Sequence, residues 1–184
     1  MKIDASRFPA LKAPPEVQQP PKPPSKSLIT LSTLMMPEHA NHLGNVHGGV
    51  IMKLVDEAAA IAAMRHAGSP AVTVAMDSMS FKQPVQVGDL LICNAMVTFT
   101  HRSSMEVEVH VTAEDPVTGE TTHTNSAYLV FVALGADARP RAVPTLALET
   151  DADRERFEAG AERQRARLAR RDKERRFSTP PREG

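Results

Sequence analysis

The chain contains no tryptophan, one tyrosine and six phenylalanines in 184 residues, so its core has to be built from aliphatic side chains and methionine rather than around large rings. It has a single cysteine, Cys93, which excludes an intrachain disulfide framework and fits a reducing compartment. Excess charge is also missing: 22 basic residues face 22 acidic ones, and that balance favours neither a nucleic-acid binder nor a membrane-surface protein. No stretch reaches the roughly 18 consecutive apolar residues of a membrane span, and the N-terminus lacks the apolar centre of a signal peptide. The expectation is a cytoplasmic protein with neither membrane nor nucleic acid as partner. Its length suits one domain with tails.

What is present divides the chain into three. Residues 1–26 carry Pro9, Pro14, Pro15, Pro20, Pro21, Pro23 and Pro24 with scattered lysines, a composition that removes backbone donors and resists packing. That segment reads as a disordered arm. Residues 27–144 hold the periodic elements. A strand is expected over Ser27–Leu34, a long apolar helix from Gly48 to a stop at Gly68-Ser69-Pro70, and further strands over Ala71–Phe81, Leu90–Thr100, Ser104–Ala113 and Thr121–Ala133. In the fourth of these the alternation is clean, with Met105, Val107, Val109, Val111 and Ala113 inward and Glu106, Glu108, His110 and Thr112 outward. Cys93 shares a parity with Leu91, Ala95, Val97 and Phe99 and reads as a buried small hydrophobe. Met52, Met64, Met76 and Met96 read as core filling.

Short connections make the sheet antiparallel, and a helix apolar on nearly every side must be wrapped by it: an α+β architecture. In residues 145–184, Thr150 can cap a helix with Asp153 at its third position, and the proline-free, charged stretch from Asp151 to about Arg176 follows. Arg163–Arg176 holds eight basic residues against two acidic ones. With no aromatics interleaved, it reads as a solvated terminal helix rather than a nucleic-acid surface.

The chemistry concentrates at Asn41–Ala63, where a polar loop meets Gly48-Gly49 and opens the long helix. First-turn N–H groups have no intrahelical acceptor and, beside glycine, can approach an oxygen that gains negative charge. On the helix, Lys53 and Glu57 can pair at i, i+4. Asp56 points elsewhere, beside Met52, Ala59, Ala60 and Ala63, with no obvious partner. The helix alone does not decide whether it faces solvent or a site.

Asn41-x-x-Gly44-Asn45-x-x-Gly48-Gly49-x-Ile51-Met52-x-x-x-Asp56-Glu57, followed by Phe81-x-x-Pro84-Val85-x-Val87-Gly88-Asp89 and by Arg102-Ser103-Ser104-Met105-Glu106-Val107, resembles the hotdog-fold acyl-CoA thioesterases, in the branch of the cytosolic long-chain enzymes and their bacterial single-domain relatives. The resemblance runs from Ser27 to Pro144. It implies a sheet wrapped around the central helix, homodimers joined edge to edge, and trimers of such dimers. It implies hydrolysis of acyl-CoA without a cofactor in a site shared between protomers, with Asn41 and Asp56 as the catalytic pair. Asp56 would act as general base on water, or as nucleophile, and Gly48 and Gly49 N–H groups would hold the oxyanion. Arg102, Ser103 and Ser104 become candidates for holding coenzyme A.

Other readings of these residues exist. His39, His42 and His47 with Asp56 are metal-ligand types, although their spacing matches no helical ligand pair. No Gly-x-Ser-x-Gly element supports a serine nucleophile. A dehydratase of the same fold would want a histidine paired with a carboxylate. A non-catalytic, acyl-CoA-binding oligomer is the alternative of a different class.

Overall fold

The structure, a computed structural model, describes residues 19–77, 79 and 81–177. Strands β1 (Ile29–Leu34), β2 (Ala71–Met76), β3 (Leu90–His101), β4 (Ser104–Glu114) and β5 (Thr121–Ala133) accompany two long helices, α1 (Gly48–Ala67) and α2 (Asp151–Phe177). The strands form one antiparallel sheet in the order β1-β3-β4-β5-β2, which leaves β1 and β2 at the edges. The second strand is shorter than its sequence suggests and ends at Met76 rather than Phe81.

Helix α1 lies along one face of this sheet. Its Ile51, Leu54, Val55, Ala58, Ala59, Ala62 and Ala63 are buried together with Leu91, Cys93, Ala95, Val97, Met105, Val107, Val109, Val111, Leu129 and Phe131. The run of alanines lets the helix sit close to the strands, and the aliphatic residues fill the space between, which is how a core with so few rings closes. Met52 departs from the core reading: it is 41% exposed. The helix stops at Gly68, whose φ of +64° suits glycine and whose N–H donates to Met64 O at 2.9 Å.

The proline-rich arm requires a correction. Residues 1–18 lie outside the described residues, but 19–26 are not an unattached tail. Lys22 N–H donates to Thr145 O and Ala147 N–H to Lys22 O, each at 3.0 Å. Gln19 Nε2 donates to Ala67 O and Lys22 Nζ to His66 O, each at 2.9 Å. The arm thus supplies donors, one of them cationic, to carbonyls that the end of α1 leaves unpaired. His66 is buried with Nε2 2.9 Å from Pro144 O, and burial holds its basicity below the usual histidine value.

The terminal helix also differs from expectation. Helix α2 returns across the outer face of the sheet instead of standing in solvent. Phe157 meets Phe99 with ring centroids 5.0 Å apart. Gly160 is buried so tightly that a Cβ there would lie 2.6 Å from Phe99 Cβ. Phe99 faces α2, not α1, because the β3–β4 register shifts between Val97 and Phe99 and turns the parity over. Glu106 and Glu108 point outward as the alternation requires, yet both are buried beneath α2. Arg163 Nη2 reaches Glu106 Oε1 at 2.7 Å, and Arg167 Nη1 reaches Glu106 Oε2 at 2.8 Å and Asp77 Oδ2 at 2.6 Å. Arg163 also lies 3.7 Å above the Tyr128 ring. Several of the helix's arginines are therefore spent on buried carboxylates.

Candidate functional site

The loop before α1 is fixed by backbone bonding. Asn41 N–H donates to Asn45 O at 2.7 Å, Gly44 N–H to Asn41 O at 3.0 Å, and Val46 N–H to Val85 O at 2.9 Å. Gly44 takes a φ of +85° to close the turn. The Asn41 side chain is held within this turn: Leu43 N–H donates to its Oδ1 at 2.8 Å. The amide oxygen being engaged, the group Asn41 can offer a ligand is its Nδ2 donor. A cleft of about 270 Å³ opens beside it, lined by Asn41, Gly48, Ile51, Phe81 and Val85.

The helix entry divides the two glycines. His47 caps α1, and Gly49 N–H donates to its Nδ1 at 2.9 Å. Gly49 is thus committed within its own chain. Gly48 N–H has no acceptor among the described residues, and the Phe81 ring lies over its α-carbon, where a Cβ would stand 3.3 Å from Phe81 Cζ. A donor beside a ring at the mouth of a cleft suits a carbonyl oxygen. His39 likewise uses Nδ1, accepting from Met36 N–H at 3.0 Å. Among the described residues no group of three or more His, Cys, Asp or Glu side chains could hold a metal ion.

Asp56 has a partner that the sequence does not reveal. Thr73 Oγ1 donates to Asp56 Oδ1 at 2.7 Å. Thr73 faces α1 because it pairs with inward-facing Phe131, and the β2–β5 register slips between Thr73 and Ala75 immediately afterwards. Asp56 is half-buried and Thr73 exposed, so the pair lies open at the β2 edge of the sheet. Met52, one turn earlier on the same helix, adds exposed apolar surface. Within one chain Asn41 and Asp56 do not meet in a cleft: Asp56 lies eight residues along α1 from Gly48, about 12 Å of helix axis.

Of the remaining candidates, Arg102 is exposed in the turn between β3 and β4, while Ser103 and Ser104 are half-buried. The two serines line a separate cleft with Arg167, Arg170 and Arg171 of α2. Lys53 and Glu57 pair at 3.5 Å as their spacing suggests. Cys93 is buried, and burial pushes its thiol up to about 12, which removes it as a nucleophile. Among the described residues no helix is long and apolar enough to cross a membrane.

Comparison with known proteins adds independent findings. The model of the thioesterase superfamily matches residues 43–120. A mouse cytosolic acyl coenzyme A thioester hydrolase is 37% identical over 149 residues, covering 79% of this chain, which in turn spans 39% of the mouse protein's length. An acyl-CoA hydrolase from Staphylococcus aureus, solved with butyryl coenzyme A, coenzyme A and coenzyme A disulfide, superposes with a TM-score of 0.79 at 35% identity, covering 86% of this chain and 96% of that one. A hexameric acyl-CoA thioesterase, solved in its apo form, gives a TM-score of 0.79 at 36% identity over 83% of this chain and 97% of its own. The S. aureus enzyme has also been solved with alanine replacing an asparagine, an aspartate and a threonine. These three are separated by 15 and 17 residues, the intervals between Asn41, Asp56 and Thr73.

Proposed function

Because this chain belongs to the thioesterase superfamily, we propose that it hydrolyses acyl-CoA thioesters to the free acid and coenzyme A, in a site assembled from two protomers. The observation that carries this reading is the Asp56–Thr73 pair, a carboxylate held in place at an open sheet edge and separated from its own chain's Asn41 loop. A second copy applied to the β2 edge by a two-fold axis brings its Asn41 loop over Asp56 and creates two equivalent sites. It also covers Met52 and the exposed edge, which a soluble sheet otherwise has to protect. Three such dimers form the hexamer, and a cytosolic location goes with this reading.

In the reaction, Thr73 donates to one Asp56 oxygen and leaves the other to accept a proton from water. The water oxygen attacks the thioester carbonyl carbon as its proton passes to Asp56. The negative charge on the former carbonyl oxygen is met by the partner's Asn41 Nδ2 and Gly48 N–H. Gly49 is left out of this role because His47 holds its N–H. Collapse of the tetrahedral intermediate breaks the carbon–sulfur bond and expels the thiolate, which leaves without a strong general acid. A carboxylate and two donors are enough.

Asp56→Asn tests the reading, since the amide keeps the shape and the Thr73 contact but cannot accept the proton. Turnover of short, medium and long acyl-CoAs is expected to fall by about a hundredfold or more with circular dichroism and assembly unchanged. Turnover near that of the parent would remove Asp56 as the base, and a parent that hydrolyses none of these thioesters would leave acyl-CoA binding without catalysis as the function.

A further inference from the structure

The outer face of β4 and β5 carries a group of side chains that thioester hydrolysis does not use. Ser126 stands directly across from His110 in the β4–β5 ladder. Its Oγ lies 3.3 Å from His110 Nδ1 and 3.2 Å from His123 Nε2, so one ring nitrogen from each strand is aimed at the same point. Strict alternation would not allow this, because His123 and Ser126 are three residues apart and belong on opposite faces. The register shifts between Val111 and Thr112, however, and pairs His123 with outward-facing Thr112. The bulge thus turns His123 onto the outer face beside His110, the kind of re-aiming that an extra residue in a strand produces.

The far side of the His110 ring decides which of its nitrogens is available. His110 Nε2 lies 3.2 Å from Glu108 Oε1. Glu108 is itself buried and held by the Tyr128 hydroxyl at 2.9 Å and by Arg156 Nε at 3.5 Å. A carboxylate can only accept, so the Nε2 of His110 carries the hydrogen and its Nδ1 presents a lone pair outward. A carboxylate behind an imidazole in this way fixes the tautomer and raises the donor strength of the opposite nitrogen, the arrangement typical of metal-binding histidines. The spacing of the rings agrees. Two imidazoles bound to one metal at about 2.1 Å per bond have ring centres about 5–6.5 Å apart, and these two lie 6.1 Å apart. We infer that His110 Nδ1 and His123 Nε2 together bind a divalent transition-metal ion of the zinc class on the outer face of the sheet. Water completes the coordination, Ser126 Oγ turns aside to hydrogen-bond a bound water, and Glu108 supports His110 without being a ligand. Two neutral nitrogens select zinc, nickel or copper over magnesium or calcium, which take oxygen. The ion would tie β4 to β5 where the bulge interrupts their ladder, on the face of the sheet away from Asp56, and the inference does not rest on the thioesterase reading.

The test titrates the metal-free full chain with zinc sulfate by calorimetry and compares it with His123→Ala, His110→Asn and Ser126→Ala. Both histidines are exposed, so their replacement leaves the packing alone, and circular dichroism of each variant confirms its fold. The parent is expected to take up about one tight zinc ion per protomer and to show no heat with magnesium. His123→Ala and His110→Asn should each weaken the tight site by at least about tenfold, since losing even an outer partner of a metal-bound histidine costs that much. Ser126→Ala should stay within about threefold of the parent, which separates a metal site from a cluster that merely shares the serine hydroxyl. Cobalt(II) provides the second readout: visible absorption bands on binding to the parent, lost in both histidine variants. A parent that binds no zinc, or a tight site that either histidine variant leaves at parental affinity, overturns the inference.

Discussion

Gly160→Ala separates two effects of opposite sign at one position. In a solvated helix the change would stabilise, since alanine is better than glycine in a helix interior by about 1 kcal/mol. Here the new methyl would sit 2.6 Å from Phe99 Cβ and 3.0 Å from Glu106 Oε1, against the 3.5–4.0 Å or so of an ordinary carbon contact. Phe99 Cβ is fixed to the β3 backbone and cannot swing away, so α2 must lift by about 1 Å. That movement stretches Arg163–Glu106 and Arg167–Glu106, now 2.7 and 2.8 Å, beyond good hydrogen-bond length. It leaves Glu106, whose side chain has no solvent exposure, short of partners. Overpacking costs about 1–3 kcal/mol and loosening a buried ion pair adds to it. The net expectation is a loss of about 2 kcal/mol, read as a fall in Tm of about 4–8 °C for a chain of this length, by calorimetry at fixed protein concentration. A rise in Tm would mean that α2 does not pack on β3.

Two other expectations concern titrating groups. The Cys93 thiol, buried and raised to about 12, should resist alkylation by iodoacetamide at pH 8 in the native protein and react once denaturant is added; labelling at the rate of a free thiol would contradict its burial. His110 is raised above the usual histidine value chiefly by its hydrogen bond to Glu108, 3.2 Å away. Its contribution to stability is therefore complete below about pH 6.5, the unfolded value, and disappears as pH climbs through the folded value. Denaturation midpoints of the parent and of His110→Asn should converge across that interval, and a constant gap would show that the pair carries no linkage.

Much of the architecture was legible because it depends on local pattern. The alternation at Met105–Ala113, the Gly68-Ser69-Pro70 stop and the alanine-rich helix each specify one solution for burying apolar surface. What could not be read depended on segments distant in sequence. Glu106 and Glu108 are outward residues by parity, and only the return of α2 makes outward mean buried. Phe157 and Gly160, spaced for one face of a helix, were the available hints of that docking. Phe99 changed sides through a register slip that leaves no mark in the alternation. At the site, the entry at Gly48-Gly49 and the isolated Asp56 stood out as chemistry, but the roles within the entry did not. His47 was visible as a potential ligand, whereas its capping of Gly49 depends on how the loop folds back on the first turn of α1. Thr73 looked like any β-branched strand residue, and its value comes solely from standing across from Asp56.

The most direct test of the shared site mixes two crippled proteins, Asn41→Ala and Asp56→Ala, under conditions that exchange subunits. In a mixed dimer one site carries both lesions and the other carries neither. Random pairing makes about half the dimers mixed and leaves half of their sites whole, so hydrolysis of acyl-CoA should recover to about a quarter of the parent activity if sites act independently. Neither variant alone should show it. Should mass or label mixing confirm exchange while activity stays at the level of the two separate variants, Asn41 and Asp56 do not complete one another across the protomer interface.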